Sequence, residues 1–220
     1  MAYPVLRPVV SFIIPARNEE ALLPLCVLSI QRAARAVGLE HEVVVVDDAS
    51  MDRTASEAER LGARVLSVEC RRAATARNFG AAVARGHLLV FVDADTMIDA
   101  CVLERTLQAW HAGAAGGSAG ICFDDPVPPW ARHLLPGALW LSRWFRRGWG
   151  CYMFATRRAF DAVGGYDERL ANGEAFALSR ALGRHGRFLV LPERVLTSAR
   201  TLREWHLRQL GWDDAGGGEG

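Results

Sequence analysis

The segment HLLVFVDADT, residues 87–96, opens with a run of apolar residues and closes on two aspartates one residue apart. A short apolar run that ends abruptly in polar residues is typical of a buried strand in a parallel sheet. We therefore predict a strand over 87–95 whose carboxyl end carries Asp93 and Asp95.

Strand-like segments alternate with helical ones on the amino-terminal side of this segment. Three further apolar runs predict strands, namely VVSFIIP (9–15), HEVVVVDD (41–48) and ARVLSVE (63–69). Amphipathic stretches between and after the strands predict helices at 19–36, 53–61, 73–84 and 99–110. This alternation predicts an α/β fold with a Rossmann-like, mostly parallel central sheet and helices on both faces.

The second half of the chain is less regular. We predict strands at 116–125 and 187–193, a strand that runs into a helix over 150–160, and a helix at 174–183. The segment 130–149 is aromatic, arginine-rich and amphipathic, and the glycine-rich residues 213–220 read as a disordered tail. We expect a single domain over 1–215.

Composition excludes several classes of function. The formal net charge of the 220 residues is +1, which argues against a general nucleic-acid binder. Five scattered cysteines without a CxxC pair fit a reducing cytoplasm, and the amino terminus has no signal-peptide layout. No GxGxxG motif follows the first strand, which argues against a dinucleotide-dependent oxidoreductase. A Walker phosphate loop is absent as well, because that motif needs a lysine and the chain contains none.

Polar side chains gather where the predicted strands end. Residues 15–20, the pair Asp47 and Asp48, and residues 93–95 all follow strands. Parallel sheets bind ligands beyond the carboxyl ends of their strands. Two nearby carboxylates suit Mg²⁺ or Mn²⁺, and such an ion can neutralise a leaving diphosphate. The alternative is that these acids only end strands and cap helices, as Asp52 could do for the helix at 53–61.

Three segments in this order, SFIIPARNEE (11–20), EVVVVDDASMDRT (42–54) and ATARNFGAAVARGHLLVFVDADT (74–96), resemble glycosyltransferase family 2, whose members have the GT-A fold. The resemblance extends over about residues 8–200. It implies metal-dependent transfer of a sugar, with inversion, from a nucleotide-diphosphate sugar. It also implies that residues 8–110 bind the nucleotide and an Mn²⁺ or Mg²⁺ ion, while residues 111–205 shape the acceptor site.

The resemblance assigns roles to individual residues. Asp48, or in second place Asp47, would bind the base, and Asp95 with Asp93 would hold the metal. The other implied positions line the nucleotide-sugar pocket: Pro15, Ala16, Arg17, Asn18, Glu19, Arg77, Asn78, Asp93 and Ala94. Arginines near the motifs that could bind diphosphate are Arg72, Arg77 and Arg180.

The segment GGYDERLANGEAFALSRALGRHGRF (164–188) resembles the acceptor side of the same family, where a helix begins with an acidic pair. The second acid commonly serves as the general base, but this chain has Ala175 there. Glu174 is the candidate catalytic base, and its alternative role is to start a helix. Two rival functions remain: a nucleotide-sugar-binding relative impaired by Ala175, and a nucleotidyltransferase.

The acceptor is not determined by the sequence. A glycan, a lipid-linked molecule and a small molecule are all compatible with the motifs. The segment 130–149 could contact a membrane surface peripherally, or it could be a core helix that lends aromatic side chains to the acceptor site.

Overall fold

The computed structural model describes residues 10–124 and 150–200, which form one sheet of eight strands flanked by six helices. The strands are β1 Val10–Ala16, β2 His41–Asp48, β3 Arg64–Val68, β4 Leu88–Val92, β5 Thr96–Met97, β6 Gly116–Phe123, β7 Tyr152–Thr156 and β8 Phe188–Thr197. The helices are α1 Leu23–Ala36, α2 Thr54–Arg60, α3 Ala73–Val83, α4 Ala100–His111, α5 Arg157–Val163 and α6 Glu174–His185.

The sheet order is β3-β2-β1-β4-β7-β6-β8-β5. The strands β3, β2, β1 and β4 are all parallel, as the alternation of strands and helices predicts. β7 then runs antiparallel to both β4 and β6, β8 is parallel to β6, and β5 is antiparallel to β8. The predicted α/β class is confirmed, and the second half of the sheet is mixed, because an apolar run does not reveal the direction of its strand.

Helices cover both faces of the sheet. Because successive strand residues point to opposite faces, Phe12 and Ile14 of β1 pack in one apolar cluster with α1 and α4. Ile13 of the same strand packs in the second cluster with α3, α5 and α6. Burial on both faces explains why the central strands are continuous apolar runs rather than alternating ones.

The element boundaries differ from the predictions in a few places. α1 begins at Leu23 rather than at residue 19, because residues 20–22 form a turn before a proline at the start of the helix. β8 continues to Thr197, where its end pairs with β5, a two-residue strand that the sequence does not reveal. The predictions for 130–149 and 213–220 fall outside the described residues, and the single-domain assignment over 1–215 stays a prediction.

Gly80 lets α3 lie unusually close to the sheet. A Cβ atom at this position would stand 2.4 Å from Cγ2 of Ile13 and 2.9 Å from Cγ2 of Val46, both in the packed interior. Both side chains are β-branched and buried, and their restricted χ1 rotation limits how far they can move away. The glycine therefore sets the depth at which α3 packs on β1 and β2.

We predict that Gly80→Ala destabilises the protein by about 1–3 kcal/mol, the usual cost of overpacking a core. Gly183→Ala is the matched control in α6, since its added Cβ would meet only Cβ of Phe188 at 3.8 Å. There the alanine should stabilise by about 0.5–1 kcal/mol through its higher helix propensity. Urea denaturation measures both changes, and equal signs would contradict the close packing at Gly80.

Candidate functional site

The loops after β1 and β2 are bound to each other by hydrogen bonds. The backbone N–H of Asn18 donates to Oγ of Ser50 at 2.9 Å, and Oδ1 of Asn18 accepts from the backbone N–H of Met51 at 2.8 Å. The N–H of Glu19 donates to Oγ1 of Thr54 at 2.8 Å. Asn18 has a φ of 53°, a left-handed conformation that asparagine tolerates better than most residues. The side chain of Asn18 thus stabilises the loops.

Asp52 anchors the same two loops. Its Oδ2 accepts from the N–H of Glu20 at 3.1 Å, and its Oδ1 accepts from the N–H of Thr54 at 2.9 Å. The second bond satisfies an N–H in the first turn of α2, so a helix-start role for Asp52 is correct, although Arg53 is the N-cap residue itself.

Asp48 and Asp47 point to opposite sides of β2. Oδ1 of Asp48 accepts from the backbone N–H groups of Cys70 at 2.8 Å and Arg71 at 2.9 Å. Burial by itself would raise the pKa of Asp48, but the backbone hydrogen bonds from Arg71 and Cys70 outweigh it and lower that pKa. Asp48 lines the cavity described below. Asp47 does not, and its buried Oδ1 has no hydrogen-bond partner among the described residues.

Arg77 is a buried cation that joins three segments of the chain. Its Nη2 lies 2.6 Å from Oδ1 of Asp93, its Nη1 lies 3.0 Å from Oε1 of Glu174, and its guanidinium stands 5.3 Å from the ring centre of Tyr166. Only 4% of Arg77 is exposed. Burial would lower its pKa, but the charges of Asp93, Tyr166 and Glu174 raise the pKa above its usual value, so the guanidinium stays charged.

Asp95 is a half-buried carboxylate in an electronegative neighbourhood. Burial, together with the charges of Asp93 and Glu19, raises the pKa of Asp95 to about 6. Its Oδ1 has only long contacts of 3.4 Å with the hydroxyls of Thr96 and Thr197. Crowded, poorly compensated carboxylates fit a divalent cation, which prefers oxygen ligands. Residues 10–124 and 150–200 contain no ready group of three metal-binding side chains, so Asp93 and Asp95 would leave coordination positions for water or phosphate oxygens.

Asp48, Arg77 and Asp95 line a cavity of about 370 Å³ at the carboxyl ends of β1, β2 and β4. Ten residues predicted from the sequence line it: Pro15, Ala16, Arg17, Glu19, Asp48, Arg72, Arg77, Asp93, Ala94 and Asp95. Four others complete the lining: Arg71, Ala73, Ala76 and Arg200. The structure places Asn18, Asp47, Asn78 and Glu174 outside this lining.

Asn78 holds a turn of the second half of the chain rather than the cavity wall. Its Nδ2 donates to the backbone oxygen of Tyr166 at 2.9 Å and to Oε1 of Glu168 at 2.8 Å, while its Oδ1 accepts from the N–H of Tyr166 at 2.9 Å. The amide is therefore engaged by residues 166–168. A contact with a nucleotide sugar stays a prediction that this geometry does not favour, and the same holds for Asn18.

Arg200 is a charged lining residue that the motifs did not single out. It forms an ion pair with Glu19, although the two positions are 181 residues apart. No spacing rule links positions so distant, and only the folding of β8 beside the cavity brings them together. Arg72, already a candidate, lines the cavity and also reaches the backbone oxygen of Glu168 at 2.7 Å, whereas Arg180 does not line it.

Comparison with known sequences agrees with this geometry. Residues 11–167 match the sequence model of the family described as Glycosyl transferase family 2. The chain belongs to this family. An undecaprenyl-phosphate 4-deoxy-4-formamido-L-arabinose transferase of Pseudomonas aeruginosa is 37% identical in an alignment of 172 positions that covers 71% of this chain and 49% of that protein. The chain thus spans about half the length, or less, of the curated relatives it matches.

Two solved structures share the fold. The mannosyltransferase PcManGT of Pyrobaculum calidifontis, in complex with GDP-Man and Mn²⁺, superposes with a TM-score of 0.71 at 21% identity, covering 94% of this chain and 62% of that one. Residues 1–349 of TarS of S. aureus, in complex with UDP-GlcNAc, superpose with a TM-score of 0.67 at 21% identity, covering 86% and 58% of the two chains. These likenesses show the GT-A type of α/β fold. Within the described residues, no helix has the length and apolar character that a membrane span needs.

We predict that Arg77→Met destabilises the protein by about 2–4 kcal/mol. Methionine fills the volume but leaves Asp93 and Glu174 without a cation, and breaking a buried ion pair from one side is costly. Both carboxylates keep some contact with water, which places the loss below that of a fully buried pair. Arg60→Met, which breaks an exposed pair with Glu57, should cost less than about 1 kcal/mol. Urea denaturation compares them, and equal small losses would refute a central role for Arg77.

Proposed function

We propose that this chain is a glycosyltransferase that takes its sugar from a nucleotide-diphosphate sugar with the help of a divalent cation. The observation that carries the proposal is the cavity at the carboxyl ends of β1, β2 and β4, which collects Asp48, Arg77, Asp93 and Asp95. Its support is membership of the family, together with the donors, UDP-GlcNAc and GDP-Man, held by structures of the same fold.

Asp48 is proposed to recognise the base. Its Oδ1 is occupied by two backbone N–H groups, so Oδ2 is the atom that can accept from an N–H of uracil or guanine. Pro15, Ala16 and Arg17 would border the base and ribose, and Glu19 stands opposite Arg200 at the same cavity.

Asp95 and Asp93 are proposed to hold Mn²⁺ or Mg²⁺. Oδ1 of Asp93 is bound to Arg77, which fixes the orientation of that carboxylate toward the cavity. A bound cation supplies compensation for the charge that develops on the leaving diphosphate. Arginines add to that compensation, because five of them line the cavity against four carboxylates.

We propose inversion at the anomeric carbon, the outcome of a single displacement. Retention through a covalent intermediate needs a free nucleophile on the protein. Three of the four lining carboxylates are bound to arginine or backbone N–H groups, and the fourth, Asp95, is assigned to the cation.

Membership of the family does not specify the acceptor. The name of the Pseudomonas relative specifies an undecaprenyl phosphate, which makes a lipid-linked acceptor one possibility beside a glycan or a small molecule. A cytoplasmic location, peripheral membrane contact through 130–149 and the absence of a nucleic-acid partner stay predictions.

A product assay separates the proposal from its rivals. The protein is incubated with Mn²⁺ in two sets of reactions. The first contains UDP-GlcNAc, UDP-glucose or GDP-mannose together with a glycan, a lipid-linked or a small-molecule acceptor, and the second contains UTP or GTP together with a sugar 1-phosphate. A glycosyltransferase releases nucleoside diphosphate, a nucleotidyltransferase releases pyrophosphate from a nucleoside triphosphate and a sugar phosphate, and a binding-only relative releases neither. Pyrophosphate as the product would replace the proposed function.

We predict that Asp48→Asn weakens nucleotide binding by about 1–3 kcal/mol. Asparagine has one oxygen, so its NH₂ group must face either the two backbone N–H groups or the base, and a donor then meets a donor. Asp47→Asn is the control, because Asp47 does not line the cavity. The affinity of this variant for the nucleotide should change less than about twofold. Calorimetry with the preferred nucleotide measures both. Loss of affinity in the Asp47 variant alone would reassign the base contact.

We predict that Asp95→Ala abolishes the Mn²⁺-dependent part of nucleotide binding, since a charged oxygen ligand is lost. The control is Asp161→Ala on α5, an exposed acid away from the cavity. Calorimetry is run with Mn²⁺ and with EDTA for each variant. An unchanged gain in affinity from Mn²⁺ in the Asp95 variant would remove this residue from the metal site.

A further inference from the structure

Among the described residues that line the cavity, no carboxylate is placed to take a proton from an acceptor. Oδ1 of Asp93 lies 2.6 Å from Nη2 of Arg77, and Glu19 is paired with Arg200. Asp48 accepts two backbone N–H groups and faces the proposed base site. Asp95 is the proposed cation ligand, and a ligand to a cation cannot also collect a proton. Among the residues that the structure describes, no histidine lines the cavity.

The start of α6 offers no better base. Ala175 is 6% exposed and packs in the apolar cluster with Leu178 and Tyr166. Glu174 lies beside it, but its Oε1 is 3.0 Å from Nη1 of the buried Arg77, and it does not line the cavity. One oxygen of this carboxylate is therefore committed to the guanidinium of Arg77.

An acceptor that arrives already ionised needs no base. A sugar or lipid hydroxyl must lose its proton as it attacks, and general-base catalysis typically contributes ~10²–10⁴-fold to such reactions. A phosphate monoester has a second pKa of about 6, so its oxygens are anionic at neutral pH. The attacking atom is then an oxyanion from the start.

The lining is also suited to an additional anion. Five arginines and four carboxylates line the cavity, so a divalent cation and a donor diphosphate leave it with an excess of positive charge. Arg72 is the lining arginine that also contacts the second half of the chain, since its Nη1 donates to the backbone oxygen of Glu168 at 2.7 Å. The planar guanidinium has further N–H groups with which to grip phosphate oxygens.

We infer that the acceptor of this enzyme is a phosphate monoester and that Arg72 binds its phosphate. The inference rests on the proposed function and names its acceptor class. An oxygen of the acceptor phosphate forms a bond to the anomeric carbon while the bond from that carbon to the diphosphate oxygen breaks. The diphosphate leaves with the electron pair. The products are a nucleoside diphosphate and a glycosyl phosphodiester, and no proton changes place.

The first test compares acceptors with the intact protein, Mn²⁺ and the labelled nucleotide sugar that binds best in calorimetry. The acceptors are farnesyl monophosphate, farnesol and glucose 1-phosphate. We expect at least about tenfold faster transfer to a phosphate than to farnesol. Preference for farnesyl monophosphate identifies a lipid phosphate as the source, and preference for glucose 1-phosphate identifies a soluble one.

The second test is Arg72→Gln, for which we expect the KM of the phosphate acceptor to rise at least about tenfold, a larger factor than any loss of donor affinity. Arg72→Lys should restore part of the acceptor's KM, because lysine keeps the positive charge but lacks the paired N–H donors of the guanidinium. If Arg72 only held Glu168 in place, its loss would affect acceptor and donor alike. Arg60→Gln, an exposed arginine on α2 outside the cavity, is the control and should change neither value.

Three results would overturn the inference while leaving donor binding intact. They are equal transfer to farnesol and farnesyl monophosphate, transfer to farnesol that stops in Glu174→Gln, and donor binding without transfer to any phosphate. The second would identify Glu174 as the general base, and the third would favour an impaired relative. Failure of every nucleotide sugar to bind would instead reject the proposed function.

Discussion

The charge of Arg77 has to be balanced inside the protein, and much of the site follows from how this is done. Because only 4% of the residue is exposed, water cannot compensate the guanidinium. Asp93 at the end of β4 and Glu174 at the start of α6 supply the opposite charge. The requirement brings α6 to the strand ends and turns one carboxylate of the DADT segment toward α3. It also holds Glu174 against Arg77, outside the lining of the cavity.

One helix connects the two halves of the described chain. Gly80 allows α3 to lie against β1 and β2, and Arg77 and Asn78 stand one turn or less away from it. Adjacent helix positions differ by about 100° in direction, so the two side chains serve different partners. Arg77 reaches the acids, while Asn78 binds the backbone of Tyr166. The Arg-Asn pair thus fixes the position of the turn before α6 relative to the cavity.

The cavity is lined by charged side chains of both signs, and only some of them are paired with one another. Arg77 and Arg200 compensate Asp93 and Glu19, but Asp95 keeps a pKa raised to about 6 by burial and by its acidic neighbours. A bound cation would offset the repulsion between Asp95 and its acidic neighbours, and the surrounding arginines would attract phosphates. The acids lie deeper in the cavity than most of the arginines, which are exposed. A cation and phosphates would therefore bind at different places, although the net charge of the chain is only +1.

The sequence by itself determined the α/β class and the four parallel strands of the first half, and its resemblance to glycosyltransferase family 2 indicated ten residues of the cavity lining. The class and the strands follow from local information, because apolar runs locate buried strands and parallel strands deliver their ends to one edge. Only the tertiary structure decided that Asp48 rather than Asp47 faces the cavity, that Glu174 pairs with Arg77 and Asn78 with residues 166–168, and that Arg200 joins Glu19. Such roles depend on which way a side chain points and on contacts between distant segments, and neither is encoded in the spacing of residues along the chain.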